Sequence, residues 1–100
     1  MRVRFAVAAQ HDVAEARLFY SRVVPRRRAG FNAALRASVA LLREYPLAGE
    51  LVDAPIRRHV LTGYPFTLLY VIRREEVIIE ALVHHSRDPQ DWSGFLNRDP

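Results

Sequence analysis

The sequence predicts an α+β fold with the element order β-α-α-β-β-β, in which an N-terminal strand and an antiparallel helical hairpin pack on a small antiparallel sheet. Three observations predict it: a short alternating run at the N-terminus, two amphipathic helical segments with a short link, and three β-rich runs separated by turns. One hundred residues are enough for one core and too few for two, so we expect residues 1–100 to form a single domain.

The N-terminal run MRVRFAV alternates between apolar and polar residues, which is typical of a short strand with one buried face. A helix follows, and we expect Asp12 to be its N-cap, with Glu15 completing a capping box. Pro25 ends this helix. The positions expected to face the core are Val13, Ala16, Tyr20, Val23 and Val24.

A second helix is predicted from about Arg27 to Glu44, where Pro46 stops it. The link between the two helices is so short that they must be antiparallel neighbours. The stripe expected to be buried consists of Phe31, Leu35, Ser38, Leu42 and Tyr45. Residues 46–55 contain two prolines and a glycine, which favours a loop.

Three β-rich runs, IRRHVL, FTLLYVI and VIIEALV, complete the domain, and their short connections predict an antiparallel meander. The second run is apolar on both faces, so we expect it to be the central strand. Because the helical hairpin covers only one face of the sheet, a loop, the C-terminal tail or a partner must fill the other.

The positive charge of the chain is concentrated in one segment. All 15 basic residues are arginine, and residues 17–43 hold seven of them with no acid, which gives +7 against −3 for the rest. A biased codon composition accounts for arginine in place of lysine, but it does not account for the clustering. A segment this basic suits a nucleic acid or an acidic protein.

Several function classes receive no support from the sequence. The chain has no cysteine, no nucleophile elbow and no glycine-rich phosphate loop. His84 and His85 are adjacent, so on a strand they point to opposite faces, and we expect no metal site and no cofactor. No apolar run approaches the ~20 residues of a membrane span, and no secretory signal is evident, so we expect a cytoplasmic protein with no membrane partner.

Cationic and aromatic groups cluster near the ends of the predicted strands. Those on the first meander strand, in the next turn and after the last strand are Arg57, Arg58, His59, Arg73, Arg74, His84, His85, Arg87 and Trp92. Arg73 and Arg74 also suit a solvated hairpin turn. Alternation predicts that His85 is a buried, hydrogen-bonded histidine, and Trp92 suits an anchor that pins the tail to the sheet.

The outer surfaces of the predicted helices carry a possible interface. Leu18 points away from the core stripe of the first helix, and Ala33, Ala37 and Ala40 form a smooth face on the second. Alanine also serves helix propensity alone. A partner segment would be able to lie close to such a face.

The whole layout resembles the RelE/ParE superfamily of bacterial toxins. The resemblance depends on five segments that occur in the same order along the chain as in the superfamily: Phe19-Tyr20, Phe31, LLREYPLAGEL, GYPFTLLYVI and VIIEALVHHSRDPQDW. The last segment resembles the closing signature of the superfamily, which is a strand followed by histidine, arginine, Asp-Pro and an aromatic residue. It implies a type II toxin of the plasmid-stabilisation kind, held in a hetero-oligomer by a cognate antitoxin. ParE-like members block DNA gyrase, and RelE-like members cleave messenger RNA on the ribosome.

The departures from the superfamily pattern favour the ParE-like branch. Val60 and Thr62 stand where RelE-like enzymes carry further basic residues, and Ser86 stands where a second arginine is common. Trp92 occupies the place of a tyrosine, and an indole performs no acid–base chemistry at neutral pH. The alternative, a ribosome-dependent endoribonuclease, would use Arg58, His84, His85 and Arg87. A third possibility is a domain that only binds its antitoxin and represses their operon.

We therefore expect a toxin that binds DNA gyrase and carries out no chemistry of its own. The candidate target-binding residues are Arg57, Arg58, Arg73, Arg74, Arg87 and Trp92. The candidate antitoxin-binding residues are Leu18, Arg22, Arg36, Ala37, Ala40 and Arg43.

Overall fold

The computed structural model describes residues 1–87, Pro89 and Trp92. These residues contain β1 (Arg2–Phe5), α1 (Val7–Val23), a 3₁₀ turn (Pro25–Arg27), α2 (Arg28–Glu44), β2 (Glu50–Asp53), β3 (Ile56–Val60), β4 (Phe66–Arg73) and β5 (Glu76–His84). The strands form one sheet of order β1-β5-β4-β3-β2. β1 runs parallel to β5, and all other neighbours are antiparallel. The predicted α+β class and element order are confirmed, and β4 is the central strand.

Strand β2 lies within residues 46–55, which the sequence indicated to be a loop. It pairs with β3 in an antiparallel register that joins Glu50 to Arg58 and Leu51 to Arg57. All four of its residues are exposed, so neither face is buried and the sequence has no apolar alternation to reveal the strand. Backbone pairing at the sheet edge therefore makes this strand.

Helix α1 begins six residues earlier than predicted, at Val7 rather than Val13, and the predicted capping box at Asp12 and Glu15 is wrong. The helix starts at Val7 without a side-chain cap, and Asp12 is buried inside it. A carboxylate oxygen of Asp12 accepts a hydrogen bond from the backbone N–H of Leu82 at 3.1 Å. β1 pairs with β5 only as far as Ile79, so Asp12 satisfies a β5 amide beyond the point where the parallel ladder ends.

The main core lies between the helices and one face of the sheet. Most predicted core positions are buried there, including Val13, Tyr20 and Phe31. Two are wrong: Val23 is 62% exposed and Tyr45 is 63% exposed, because each lies at a helix C-terminus beyond the sheet that covers the rest of its stripe.

A β-bulge in β5 decides which residues reach this core. Leu69 pairs with Ala81 whereas Tyr70 pairs with Ile79, which leaves Glu80 as an extra residue on β5. The alternation therefore changes phase at Glu80: Ile79 and Leu82 both face the helices, although they are three residues apart.

The open face of the sheet carries a second, smaller cluster. Leu69, Ala81 and Val83 form it together with Trp92, which is buried against them as the sequence suggested. Trp92 thus covers part of the face that the helices leave open. No helix among residues 1–87 has both the length and the apolar character that crossing a membrane requires.

Candidate functional site

A groove of about 960 Å³ opens between α1, α2 and strand β1, and we call it the arginine groove. Its residues are Arg4, Phe5, Gln10, Val13, Arg17, Leu35, Arg36, Val39 and Arg43. The apolar members come from all three elements and are half-buried or buried, so they form the floor. The four arginines are exposed around them.

The groove has no acidic residue in its lining, although two of its arginines have partners. Arg4 forms an ion pair with Glu76 at 2.9 Å, and the Arg17 guanidinium donates to the Asn32 side chain at 2.7 Å. Arg36 and Arg43 make no side-chain hydrogen bond or ion pair with any residue that the structure describes. An apolar floor with arginine forks at its rim suits an amphipathic segment that carries carboxylates.

The structure divides the predicted antitoxin-binding residues. Arg36 and Arg43 line the arginine groove. Leu18, which is 47% exposed, lies on the outer side of α1 outside the groove lining, and Arg22 is in the last turn of the same helix. The remaining two, Ala37 and Ala40, are exposed on α2 and do not line the groove.

A second cleft, of about 490 Å³, lies on the opposite face of the molecule, and we call it the open-face cleft. It brings together all four residues of the predicted ribonuclease set: Arg58, His84, His85 and Arg87. Trp92 also lines this cleft and is buried in it, so its ring supports the cleft wall.

Most ionisable side chains of the open-face cleft are held by neighbouring groups. The Arg58 guanidinium donates twice to the Glu50 carboxylate, at 2.7 and 3.1 Å. The Nε2 atom of His85 lies 3.1 Å from the Thr67 hydroxyl oxygen. His84 lies edge-on to Phe66, and its Nδ1 accepts a hydrogen bond from the Ser86 N–H at 3.0 Å.

His85 is hydrogen-bonded as predicted, but it is exposed rather than buried. It lies one residue beyond the end of β5, and its backbone N–H donates to the Pro65 carbonyl. The partly buried histidine is instead His59 on β3, whose Nε2 lies 3.2 Å from the Ser38 hydroxyl of α2. Burial lowers the pKa of the His59 imidazole below its usual value of 6.5.

The candidate target-binding residues fall into separate places. Arg57 is partly buried and donates to the Gly49 carbonyl at 2.8 Å, so it holds the segment that leads into β2. Arg73 and Arg74 are exposed at the β4–β5 turn. Arg87 follows β5 at the other end of β4, which spans roughly 23 Å at about 3.3 Å per residue. The structure therefore does not assemble these arginines into one patch.

The β4–β5 turn is strained. Arg74 and Glu75 both have left-handed backbones, with φ of 52° and 60°. This is the conformation that a two-residue hairpin turn of type I′ requires, and asparagine and glycine adopt it most easily. Each non-glycine residue in it costs roughly 1–2 kcal/mol.

Sequence reasoning missed most of the arginine groove. Arg4, Arg17 and the floor residues Phe5, Leu35 and Val39 were not proposed as a site. They come from three segments that meet only in the folded chain, so no local motif joins them. The concentration of arginine without acid between residues 17 and 43 was the one available signal.

The comparisons with known proteins agree with one another. The family model described as the ParE toxin of the type II toxin–antitoxin system parDE matches residues 3–89. A solved structure titled as the chromosomal ParDE toxin–antitoxin system from P. aeruginosa is similar in fold, with a TM-score of 0.73 and 17% identity. The match covers 84% of this chain and 95% of that one. No curated protein matches this sequence. The family match spans nearly the whole described domain, and the chain belongs to the ParE toxin family of type II toxin–antitoxin systems.

Proposed function

We propose that this chain arrests bacterial growth by binding DNA gyrase in the cytoplasm, and that a cognate antitoxin neutralises it by occupying the arginine groove. Membership of the ParE toxin family supports the toxin role. The observation that carries the antitoxin site is the groove itself, which places four arginines and no acid around an apolar floor.

The chemistry of the groove defines the antitoxin segment that fits it. Phe5 and Val39 offer partly exposed apolar surface at the floor of the groove, which suits an amphipathic helix or an extended segment. Arg36 and Arg43 are available for carboxylates of that segment. The antitoxin half that binds here is therefore acidic and amphipathic, and the complex is a hetero-oligomer.

The open-face cleft supports action by binding rather than by chemistry. An endoribonuclease of this kind activates the 2′-hydroxyl, protonates the leaving oxygen and stabilises the phosphate charge. Arg58 is neutralised by Glu50, and each cleft histidine already has a hydroxyl neighbour. These contacts compete with a substrate for the same atoms.

The alternative, a ribosome-dependent messenger RNA endoribonuclease, has one specific observation in its favour. Arg58, His84, His85 and Arg87 line the same cleft although they come from two regions of the chain. Primer extension on messenger RNA after induction separates the two functions. Cleavage that disappears in His84→Ala, His85→Ala and Arg87→Ala variants would establish the alternative and replace our proposal.

The direct test uses purified gyrase in a supercoiling assay with increasing toxin. We expect supercoiling to fall as the toxin approaches stoichiometric excess, and to recover when the antitoxin is added first. Variants Arg73→Gln/Arg74→Gln and Arg58→Gln/Arg87→Gln locate the contact, because the first pair lies at the β4–β5 turn and the second pair lines the open-face cleft. If supercoiling is unchanged at a stoichiometric excess of the wild-type toxin, gyrase is not the target.

A further inference from the structure

The connection between the two helices is the most basic stretch of the chain. Residues 22–28 read RVVPRRR, with four arginines and no acid in seven positions. Arg22, Arg26, Arg27 and Arg28 are all exposed, and we call them the arginine tip. None of them lines the arginine groove or the open-face cleft, and Arg22, a candidate antitoxin-binding residue, therefore lies apart from the proposed antitoxin site.

One member of the tip fixes the position of the others. The Arg27 guanidinium donates to the Gly63 carbonyl at 2.9 Å and lies 4.3 Å from the centre of the Tyr64 ring. In return, the Tyr64 hydroxyl donates to the Arg27 carbonyl at 3.0 Å. Gly30 leaves the space for that hydroxyl, because a Cβ there would overlap it. The tip is thus clamped to the β3–β4 turn.

The other three arginines of the tip are not held by side-chain contacts, although Arg22 lies in the last turn of α1, where a cation suits the helix dipole. Among residues 1–87, Arg22, Arg26 and Arg28 have no hydrogen-bonded or ion-paired side-chain partner. The first turn of α2 holds no acid, so Arg26 and Arg28 lie where positive charge opposes the helix dipole and costs stability. A clamped cluster that breaks a local stability rule is expected where the side chains serve a ligand.

We infer that the arginine tip binds the sugar–phosphate backbone of double-stranded DNA. Arginine guanidinium groups bind phosphate oxygens, and a surface with many arginines and little apolar area suits the phosphates of a nucleic acid. A surface that binds a protein partner needs apolar residues that become buried at the centre of the interface. Val23 is the large exposed apolar residue of this stretch, and Val24 and Pro25 add little to it. The preference for duplex DNA over another polyanion rests on the proposed function, because gyrase holds duplex DNA.

The test is fluorescence anisotropy of the intact toxin with a short labelled DNA duplex, at salt concentrations from about 50 to about 200 mM. The tip variant is Arg22→Gln/Arg26→Gln/Arg28→Gln, which leaves the clamp at Arg27 intact. The matched control is Arg2→Gln/Arg73→Gln/Arg74→Gln, which removes the same charge at the far end of β4. Circular dichroism confirms that both variants are folded.

We expect the tip variant to bind duplex DNA at least about tenfold more weakly, with the slope of log K against log salt lower by about 2 to 3. The control variant is expected to lose much less. Equal losses in both variants would mean that net charge alone drives binding, and that would overturn the inference. Tighter binding to an RNA hairpin or to a poly-glutamate peptide would overturn the choice of DNA.

The same proteins separate this inference from the gyrase proposal. If the wild-type toxin binds duplex DNA through its tip but leaves supercoiling unchanged, the gyrase target fails and the tip inference stands. If the toxin inhibits gyrase and the tip variant binds duplex DNA as the wild type does, the inference fails and the target stands.

Discussion

The two faces of the sheet differ in how they are covered and in what their polar groups do. The helix-covered face is closed by α1 and α2 over a large aromatic and aliphatic core, whereas the open face holds four clustered buried residues, one of which is Trp92. The helical layer carries arginines without side-chain partners around the arginine groove. In the open-face cleft, by contrast, Arg58 is hydrogen-bonded to Glu50 and His85 contacts the Thr67 hydroxyl. The two faces therefore differ in their arginines: Arg36 and Arg43 beside the larger core have no side-chain partner among the described residues, whereas Arg58 on the open face is paired with Glu50.

The largest expected effect concerns the two cores themselves. Phe31 is completely buried and contacts the rings of Tyr20, Tyr64 and Phe66, so Phe31→Ala is expected to lower the free energy of unfolding by about 3–5 kcal/mol. Trp92→Ala is expected to lower it less, because release of the C-terminal segment limits the loss. Urea denaturation measures both. A larger loss at Trp92 would show that the open face carries the stability.

The next largest effect is expected on antitoxin binding, and it tests whether the antitoxin binds in the arginine groove. Neutralising the two unpaired groove cations in Arg36→Gln/Arg43→Gln is expected to weaken antitoxin binding about a hundredfold, measured by titration calorimetry. The matched pair on the open face is Arg58→Gln/Arg87→Gln. If that pair weakens antitoxin binding as much as the groove pair, the arginine groove is not the antitoxin site.

A smaller effect is expected at the hydrogen bond between α1 and β5. Asp12→Ala leaves the buried Leu82 N–H without its acceptor, which costs about 2 kcal/mol of unfolding free energy, and Asp12→Asn retains an acceptor and costs less. On the open face, Thr67→Val removes the contact with the exposed His85, and we expect a loss below about 1 kcal/mol. Thermal and urea unfolding provide the values. An Asp12→Ala protein as stable as the wild type would contradict the role of this bond.

The smallest effect concerns His59, the partly buried histidine that contacts the Ser38 hydroxyl. Because burial lowers the folded-state pKa of His59, the unfolded chain binds a proton there first as the pH falls. His59 therefore contributes stability that is complete above pH 6.5 and is lost as the pH falls through its lowered folded pKa. We expect His59→Gln to reduce this acid-side loss in urea unfolding from pH 7 to pH 5. A His59→Gln protein whose stability falls with pH as steeply as that of the wild type would refute the assignment.

The sequence predicted the elements that carry periodic apolar residues and missed those made by tertiary pairing. The helical hairpin and the meander have strong 3.6- and 2-residue patterns, and both are present. Strand β2 has four exposed residues and is held by β3, so its own residues do not reveal it. Asp12 has the local appearance of a helix cap, but its acceptor serves a strand 70 residues away.

The candidate site was predictable only in part, for a related reason. Arg36 and Arg43 stood out because helix periodicity places them away from the core stripe. Arg4 and Phe5 line the same groove because β1 pairs in parallel with β5. This pairing is long-range in sequence, and no local pattern indicates it. The burial of His85 was predicted wrongly because β5 ends at His84, so alternation no longer sets the surroundings of the next residue.

The bulge at Glu80 divides β5 into two parts, and the alternation of side chains between the two faces of the sheet changes phase from one part to the other. The half before Glu80 directs Val77 and Ile79 towards the helices, and the half after it directs Leu82 the same way while Val83 turns outward. Because Glu80 is the extra residue, a β5 without it would pair regularly with β4 and would keep Ala81, Leu82 and Val83 on the faces that they occupy now. The two faces of this toxin therefore tolerate a β5 that is one residue shorter at this point, and relatives that lack the bulge are expected to carry the same apolar pattern after it.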